Sequence, residues 1–220
     1  MKKSILMSAA VLMIAGLAFA QPVSDRAVIP VGVTLQQILR IHVVNGGNVE
    51  FVFNTITDYT TGIPNGGTGF YDSDVVIASS TDWQLHMGAE DATLIGTDNP
   101  ANTLGINNIG FVSTWTGTNS CCVAASRVSG VTGNYNTATT AGAACGLKVF
   151  TGTAADLLYT DGGNVAGSGG TVLANAFTIN WECGTFVAGG TTPMAATSIL
   201  AQSPVADRYT TNVFLDLTAL

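Results

Sequence analysis

Between Gln37 and Asn54 the chain reads QILRIHVVNGGNVEFVFN, two runs in which apolar residues return at every second position. A period of two is the pattern of a half-buried β-strand, and the Asn45-Gly46-Gly47 turn signal between the runs predicts a β-hairpin. Alternation also selects the register. A two-residue loop would set Ile41 against Glu50 and Arg40 against Phe51, mixing the two faces. A three-residue loop pairs Val43 with Val49, Ile41 with Phe51 and Leu39 with Phe53, and it puts Gly47 where a positive φ is needed. In that register His42 faces Glu50, with Arg40 close by.

Further alternating runs extend the pattern along the chain. Ala27 to Thr34 reads as a short strand, and Pro30 inside it marks an edge position or a strand that changes sheets. Asp74 to Ala78 is a strand. Asp82 to Met87 is another, with Trp83, Leu85 and Met87 inward and Gln84 and His86 outward. Ile109 to Trp115 and Ala176 to Glu182 follow, the latter with Phe177, Ile179 and Trp181 inward. The chain closes on Arg208 to Leu220, where Tyr209, Thr211, Val213, Leu215 and Leu217 share a face. Asp58 to Gly69 and Gly184 to Ser198 read as loops. Many short strands without an alternating strand–helix pattern predict an all-β fold. The expected architecture is an antiparallel Greek-key β-sandwich, Ig-like or jelly-roll-like, with long small-residue loops.

The organisation expected is a signal peptide over residues 1–20 followed by one sandwich domain over 21–220. Lys2 and Lys3 precede an apolar run, Ile5 to Phe19, and Ala18-Phe19-Ala20 is a small-x-small cleavage site. This predicts export through the periplasm to an extracellular surface, with no membrane insertion after cleavage. Of the seven basic residues only Arg26, Arg40, Arg127, Lys148 and Arg208 follow that site, against 14 acidic ones. An anionic chain without a basic patch excludes a nucleic-acid partner and disfavours anionic lipid.

Four cysteines, Cys121, Cys122, Cys145 and Cys183, lie after the cleavage site. An even number in an exported chain predicts two disulfides. A ring between the adjacent Cys121 and Cys122 is strained, so each is expected to take a different partner. One would close the small-residue loop to Cys145, and the other would tie it to Cys183. The result is a Cys-stapled insertion around residues 117–170. Zinc needs paired Cys-x-x-Cys units or nearby histidines, and neither is present.

No motif marks a catalytic centre. Asp72-x-Asp74 offers carboxylate oxygens but too few for a calcium site, and solvated turn residues are the plainer reading. His42 and His86 fall on outward strand faces. There is no Gly-x-Ser-x-Gly elbow and no His-Glu-x-x-His, and Gly167-Ser168-Gly169-Gly170 lacks the lysine of a phosphate loop. No catalytic residue, cofactor or metal site is therefore assigned, and the chain is expected not to be an enzyme. Trp83, Trp115 and Trp181 read as core. Tyr59 and Tyr71 are the better candidates for stacking on a sugar ring.

The stretch Pro204-Val205-Ala206-Asp207-Arg208-Tyr209-Thr210-Thr211-Asn212-Val213 resembles the Gly-x-Tyr-x-x-x-Val final strand of secreted β-sandwich surface proteins, the spore-coat-U-like and fimbrial subunits of chaperone–usher systems. It departs from them in carrying Asp207-Arg208 where a glycine is usual, and in lacking their early disulfide. The resemblance implies an extracellular structural protein, many of which donate a strand to the incomplete sheet of a neighbour. The expected function is an exported, non-enzymatic structural or adhesive surface protein, a pilus- or fimbria-like filament subunit, that associates with itself or with other surface proteins. Val28, Val31 and Val33, or Tyr209, Val213, Leu215 and Leu217, would belong to the donated strand. A secreted carbohydrate-binding module, with a glycan as partner, is the alternative, and a secreted hydrolase the third reading.

Overall fold

The computed structural model describes residues 26–65, 71–118, 131–133, 148–150, 153, 156–160, 170–186 and 195–220. The chain divides into two units, residues 1–36 and 37–220. In the first unit the described residues, 26–36, form neither strand nor helix. The strand expected from Ala27 to Thr34 is therefore corrected. Its alternating pattern is that of a strand, but none of its backbone groups is hydrogen-bonded among the described residues, and an alternating pattern without a ladder is not yet a strand.

The second unit is an all-β sandwich of antiparallel sheets. Its described strands are β1 (Leu39–Asn45), β2 (Asp72–Ser79), β3 (Trp83–Ala89), β4 (Thr93–Gly96), β5 (Thr103–Gly105), β6 (Ile109–Trp115), β7 (Val131–Gly133), β8 (Lys148–Phe150), β9 (Asp156–Thr160), β10 (Gly170–Cys183), β11 (Tyr209–Thr210) and β12 (Val213–Ala219). Two short helices, α1 (Ile56–Thr61) and α2 (Ile199–Gln202), interrupt them. A six-stranded sheet runs β1-β2-β10-β6-β8-β7, and two three-stranded sheets run β12-β3-β9 and β11-β4-β5.

Odd-numbered residues of the central strands fill the core. Val75 and Ile77 of β2, Trp83, Leu85 and Met87 of β3, Phe111 and Trp115 of β6, and Phe177, Ile179 and Trp181 of β10 are all buried. Trp83 stacks on Trp115 across the sandwich, with ring centroids 6.5 Å apart, and Trp115 meets Tyr159 of β9 edge-on at 5.3 Å. The inward faces expected for β3 and β10 and the core assignment of all three tryptophans agree with this packing. Large rings bury much apolar area with few torsions to freeze, which suits a chain whose remaining residues are mostly small.

The hairpin is the main correction. β1 pairs with β2, setting Ile41 against Ile77 and Val43 against Val75, and residues 46–55 form no ladder. Gly46 turns the chain out of the sheet with φ +66°, and a Cβ there would run into the Asp72 carbonyl. The positive φ belongs to Gly46, not Gly47. Period two reports that a run is extended and half buried. It does not report the partner, and β2 offers a buried apolar row that the 49–53 run does not.

Two smaller differences follow. The closing run is two strands rather than one. β11 pairs with β4, β12 pairs with β3, and the switch falls at Thr211-Asn212. Thr211 Oγ1 donates to Asp91 (3.1 Å) and Asn212 Nδ2 to Glu90 (2.6 Å), which holds the crossover. Within the expected loop at Asp58 a helix forms instead, started by a reciprocal cap. Thr55 Oγ1 accepts from the Asp58 N–H (3.1 Å), and Asp58 Oδ2 accepts from the Thr55 N–H (2.8 Å).

Candidate functional site

The sequence Arg26-Ala27-Val28-Ile29-Pro30-Val31-Gly32-Val33-Thr34-Leu35-Gln36 puts Ile29, Val31, Val33 and Leu35 on one side of an extended chain. These four are 82, 85, 80 and 90 % exposed, and Val28, on the opposite side, is 73 % exposed. Residues 26–37 make no hydrogen bond among the described residues. Five large apolar side chains in eight residues, all in water, form a contiguous exposed apolar segment of the kind that marks an interaction site.

Among the described residues β12 is the edge of its sheet. Its register against β3 is unbroken from Val213↔Ala89 to Ala219↔Trp83. At the two ends of that register the Glu90 N–H donates to the Asn212 carbonyl (2.8 Å) and the Leu220 N–H to the Asp82 carbonyl (2.9 Å). In an antiparallel ladder the hydrogen-bonded pairs alternate, so the even residues of β12 address β3. The N–H and C=O groups of Val213, Leu215, Leu217 and Ala219 therefore point to the open edge. The side chains of Val213, Leu215 and Leu217 pack against the core yet stay half exposed.

Among the described residues β1 is the edge of the six-stranded sheet. The Ser80 N–H donates to the Ile38 carbonyl (2.9 Å), so the even residues of β1 address β2 and the odd ones face outward. This edge is shorter, because its register breaks between Val43 and Asn45. Such an irregularity is one way an edge is protected against further pairing. β1 comes near β12 without a ladder between them.

The other residues singled out from the sequence lie apart from one another. Val28, Val31 and Val33 are in the exposed 26–36 segment. Tyr209 is in β11, and its hydroxyl donates to the Val205 carbonyl (2.6 Å). His42 is on β1 opposite Val76, and His86 is on β3 opposite Asp216 of β12. The expected approach of His42 to Glu50 is not formed. Glu50 instead pairs with Arg208 at 3.1 Å. Asp72 and Asp74 share the outer face of β2 and accept from Asn180 Nδ2 and Thr178 Oγ1, each at 2.7 Å. Tyr71 stacks on Phe51 at 4.5 Å and Tyr59 packs against Phe53 at 5.3 Å, so each ring has a neighbour within the chain.

Cys183 ends β10 buried, and among the described residues it is a free thiol. Its side chain lies on the inward face of β10, next to the bridge with Ile63. Burial, reinforced by the neighbouring Glu182 charge, pushes the thiol up to about 12. Cys121, Cys122 and Cys145 fall outside the described residues. Glu182 itself is buried on the other face of β10. Desolvation raises its pKa, against hydrogen bonds from the Thr185 hydroxyl and the Asn65 backbone that lower it. Asp207 is the opposite case. The Asp98 N–H first, then Asn102 Nδ2 and the Asn99 and Arg208 N–H groups, bond to its carboxylate and hold its pKa below the usual value. It clips the start of β11 to the turn after β4.

Among the described residues no group of three or more histidine, cysteine or acidic side chains is placed to hold a metal ion. No described helix is long and apolar enough to cross a membrane. A scan of the chain against protein-family models returns no match, and a search of curated proteins returns none either.

The feature that sequence reasoning missed is the open edge of β12. The alternation of its side chains was readable, but which half of its backbone is unpaired depends on the partner strand. The capping box of α1, Thr55-x-x-Asp58, was present in the sequence as a helix signal.

Proposed function

We propose that this chain is an exported structural or adhesive protein of the cell surface that associates with itself by strand donation, as a subunit of an extracellular filament. The observation that carries the reading is the 26–36 segment. Its apolar side chains alternate as in a strand, yet they are exposed, and its backbone is unpaired among the described residues. Burying each of Ile29, Val31, Val33 and Leu35 would contribute about 1.5–3 kcal/mol, before the cost of ordering the segment. Pairing with a sheet edge would satisfy its amides at the same time.

Between the two donors considered from the sequence, the first fits better. Val213, Leu215 and Leu217 belong to a strand with seven residues in register with β3, and giving that strand away would strip one side of the core. Val31 and Val33 leave no such gap. Deleting residues 27–35 should leave an exported, folded monomer that no longer polymerises. Filaments formed by the deleted chain would refute the reading.

A further inference from the structure

We infer that Asn45 is a modification site: in the folded protein it deamidates spontaneously, through a cyclic imide closed by the Gly46 nitrogen, and the product loosens the end of β1. The site is independent of the self-association proposed above.

The reaction needs only water. The Gly46 amide nitrogen gives up its proton and attacks Cγ of the Asn45 side chain. A new C–N bond forms, the bond to the side-chain nitrogen breaks, and ammonia leaves with the proton. Water then opens the five-membered imide at either carbonyl. One opening gives aspartate, and the other gives isoaspartate, in which the main chain runs through Cβ. Nothing is oxidised or reduced. Asparagine is a thermolabile residue, and a following glycine, with no Cβ, leaves the attacking nitrogen unshielded.

The chain carries the tripeptide Asn-Gly-Gly twice, at Asn45-Gly46-Gly47 and at Asn65-Gly66-Gly67. Sequence makes the two alike, and the fold separates them. Asn45 is exposed at the last position of β1, beyond the break in register, and residues 46–55 form no ladder. Among the described residues neither the Asn45 side chain nor the Gly46 N–H makes a hydrogen bond. The ring can therefore close with little structure to disrupt. Asn65 is half-buried, and its N–H bonds to the Glu182 carboxylate. Two residues before it, Ile63 exchanges both backbone bonds with Cys183, at 2.7 and 2.9 Å. Ring closure at Asn65 has to wait for that place to open.

The surroundings of Asn45 fit asparagine better than either product. Its register partner is Asp74, whose Oδ1 accepts from Thr178 Oγ1 at 2.7 Å. Aspartate at position 45 puts like charges directly opposite each other across two strands, which is destabilising. Isoaspartate lengthens the main chain by one carbon where there is no slack. Gly46 lies so close to the Asp72 carbonyl that a Cβ would collide with it, and the Ser73 hydroxyl donates to the Gly46 carbonyl at 2.6 Å. Either product therefore draws the end of β1 away from β2.

The test follows both asparagines in the full exported chain, incubated in mildly alkaline buffer with and without urea. Peptide mass spectrometry reads the exchange of amide for acid, and labelling by an isoaspartyl methyltransferase reads isoaspartate. In urea the two sites should react at similar rates. In the folded chain Asn45 should react at least about tenfold faster than Asn65, because a held amide reacts only when its surroundings open. Folded Asn45 reacting as slowly as Asn65 would overturn the site. Asn45→Gln, which cannot close a five-membered ring, should fold normally and form no acidic product at position 45. The modified protein, separated by anion exchange, should have a lower urea midpoint than the unmodified protein. Equal midpoints would overturn the loosening of β1.

Discussion

At the scale of single residues, two adjacent groups whose pKa burial raises, Glu182 and Cys183, stand at the end of β10. Glu182 is a carboxylate held under a loop, and burial raises its pKa. Between the ordinary glutamate value and that raised value, the folded state keeps a proton that the unfolded chain has lost. Stability therefore falls as pH rises through this interval, and the charged form weighs against the fold at neutral pH. Glu182→Gln keeps an oxygen for the Thr185 hydroxyl and removes the charge. It should raise the urea midpoint at pH 7 and flatten the dependence of that midpoint on pH across the weakly acidic range. A variant less stable than the parent at pH 7 would contradict this. The pKa shift was not legible in the sequence, because Glu182 becomes buried only where the Ile63 bridge and Thr185 close over β10. Cys183 stands at this same place. The inward parity of Cys183, continuous with Phe177, Ile179 and Trp181, was legible and accounts for its burial.

At the scale of elements, alternation was a good guide to which residues turn inward and a poor guide to partners. The inward residues of β3, β6 and β10 could be read directly, because each strand is half buried and its parity is its burial. The partner of β1 could not. Asn45-Gly46-Gly47 carries a turn composition, and the chain uses it to leave the sheet rather than to fold back. The split of the closing run at Thr211-Asn212 depends on side-chain bonds to Asp91 and Glu90, more than a hundred residues away in sequence. Parity also yields a prediction for the exposed segment. Val31→Asp or Val33→Asp removes an apolar side chain from the pairing face and should weaken association more than tenfold, since each contributes about 1.5–3 kcal/mol when buried. Val28→Asp lies on the other face and should change association little. Sedimentation velocity over a concentration series separates the three. Equal weakening by all of them would mean that the segment acts as an unstructured apolar tail, not as a strand.

At the scale of the whole molecule, an all-β sandwich with an anionic surface carries two features that a solitary soluble protein would avoid. One is a run of exposed apolar residues, and the other is the β12 edge, which no described strand covers. Net negative charge opposes the approach of like subunits, so association by apolar burial and backbone pairing should strengthen as salt screens that repulsion. The fold class was legible because composition and periodicity both reflect burial. The exposed 26–36 segment was half legible, since its alternation was visible but its exposure was not. The unpaired side of β12 was hidden, because it is a property of the β3–β12 ladder. The claim that joins these features is that the protein forms regular extracellular filaments. Immunogold electron microscopy with an antibody against the exported chain, on intact cells and on material sheared from them, tests it most directly. Label repeating along regular filaments is the predicted result. Diffuse surface label, or release of the protein as a monomer with no labelled filament, would contradict it.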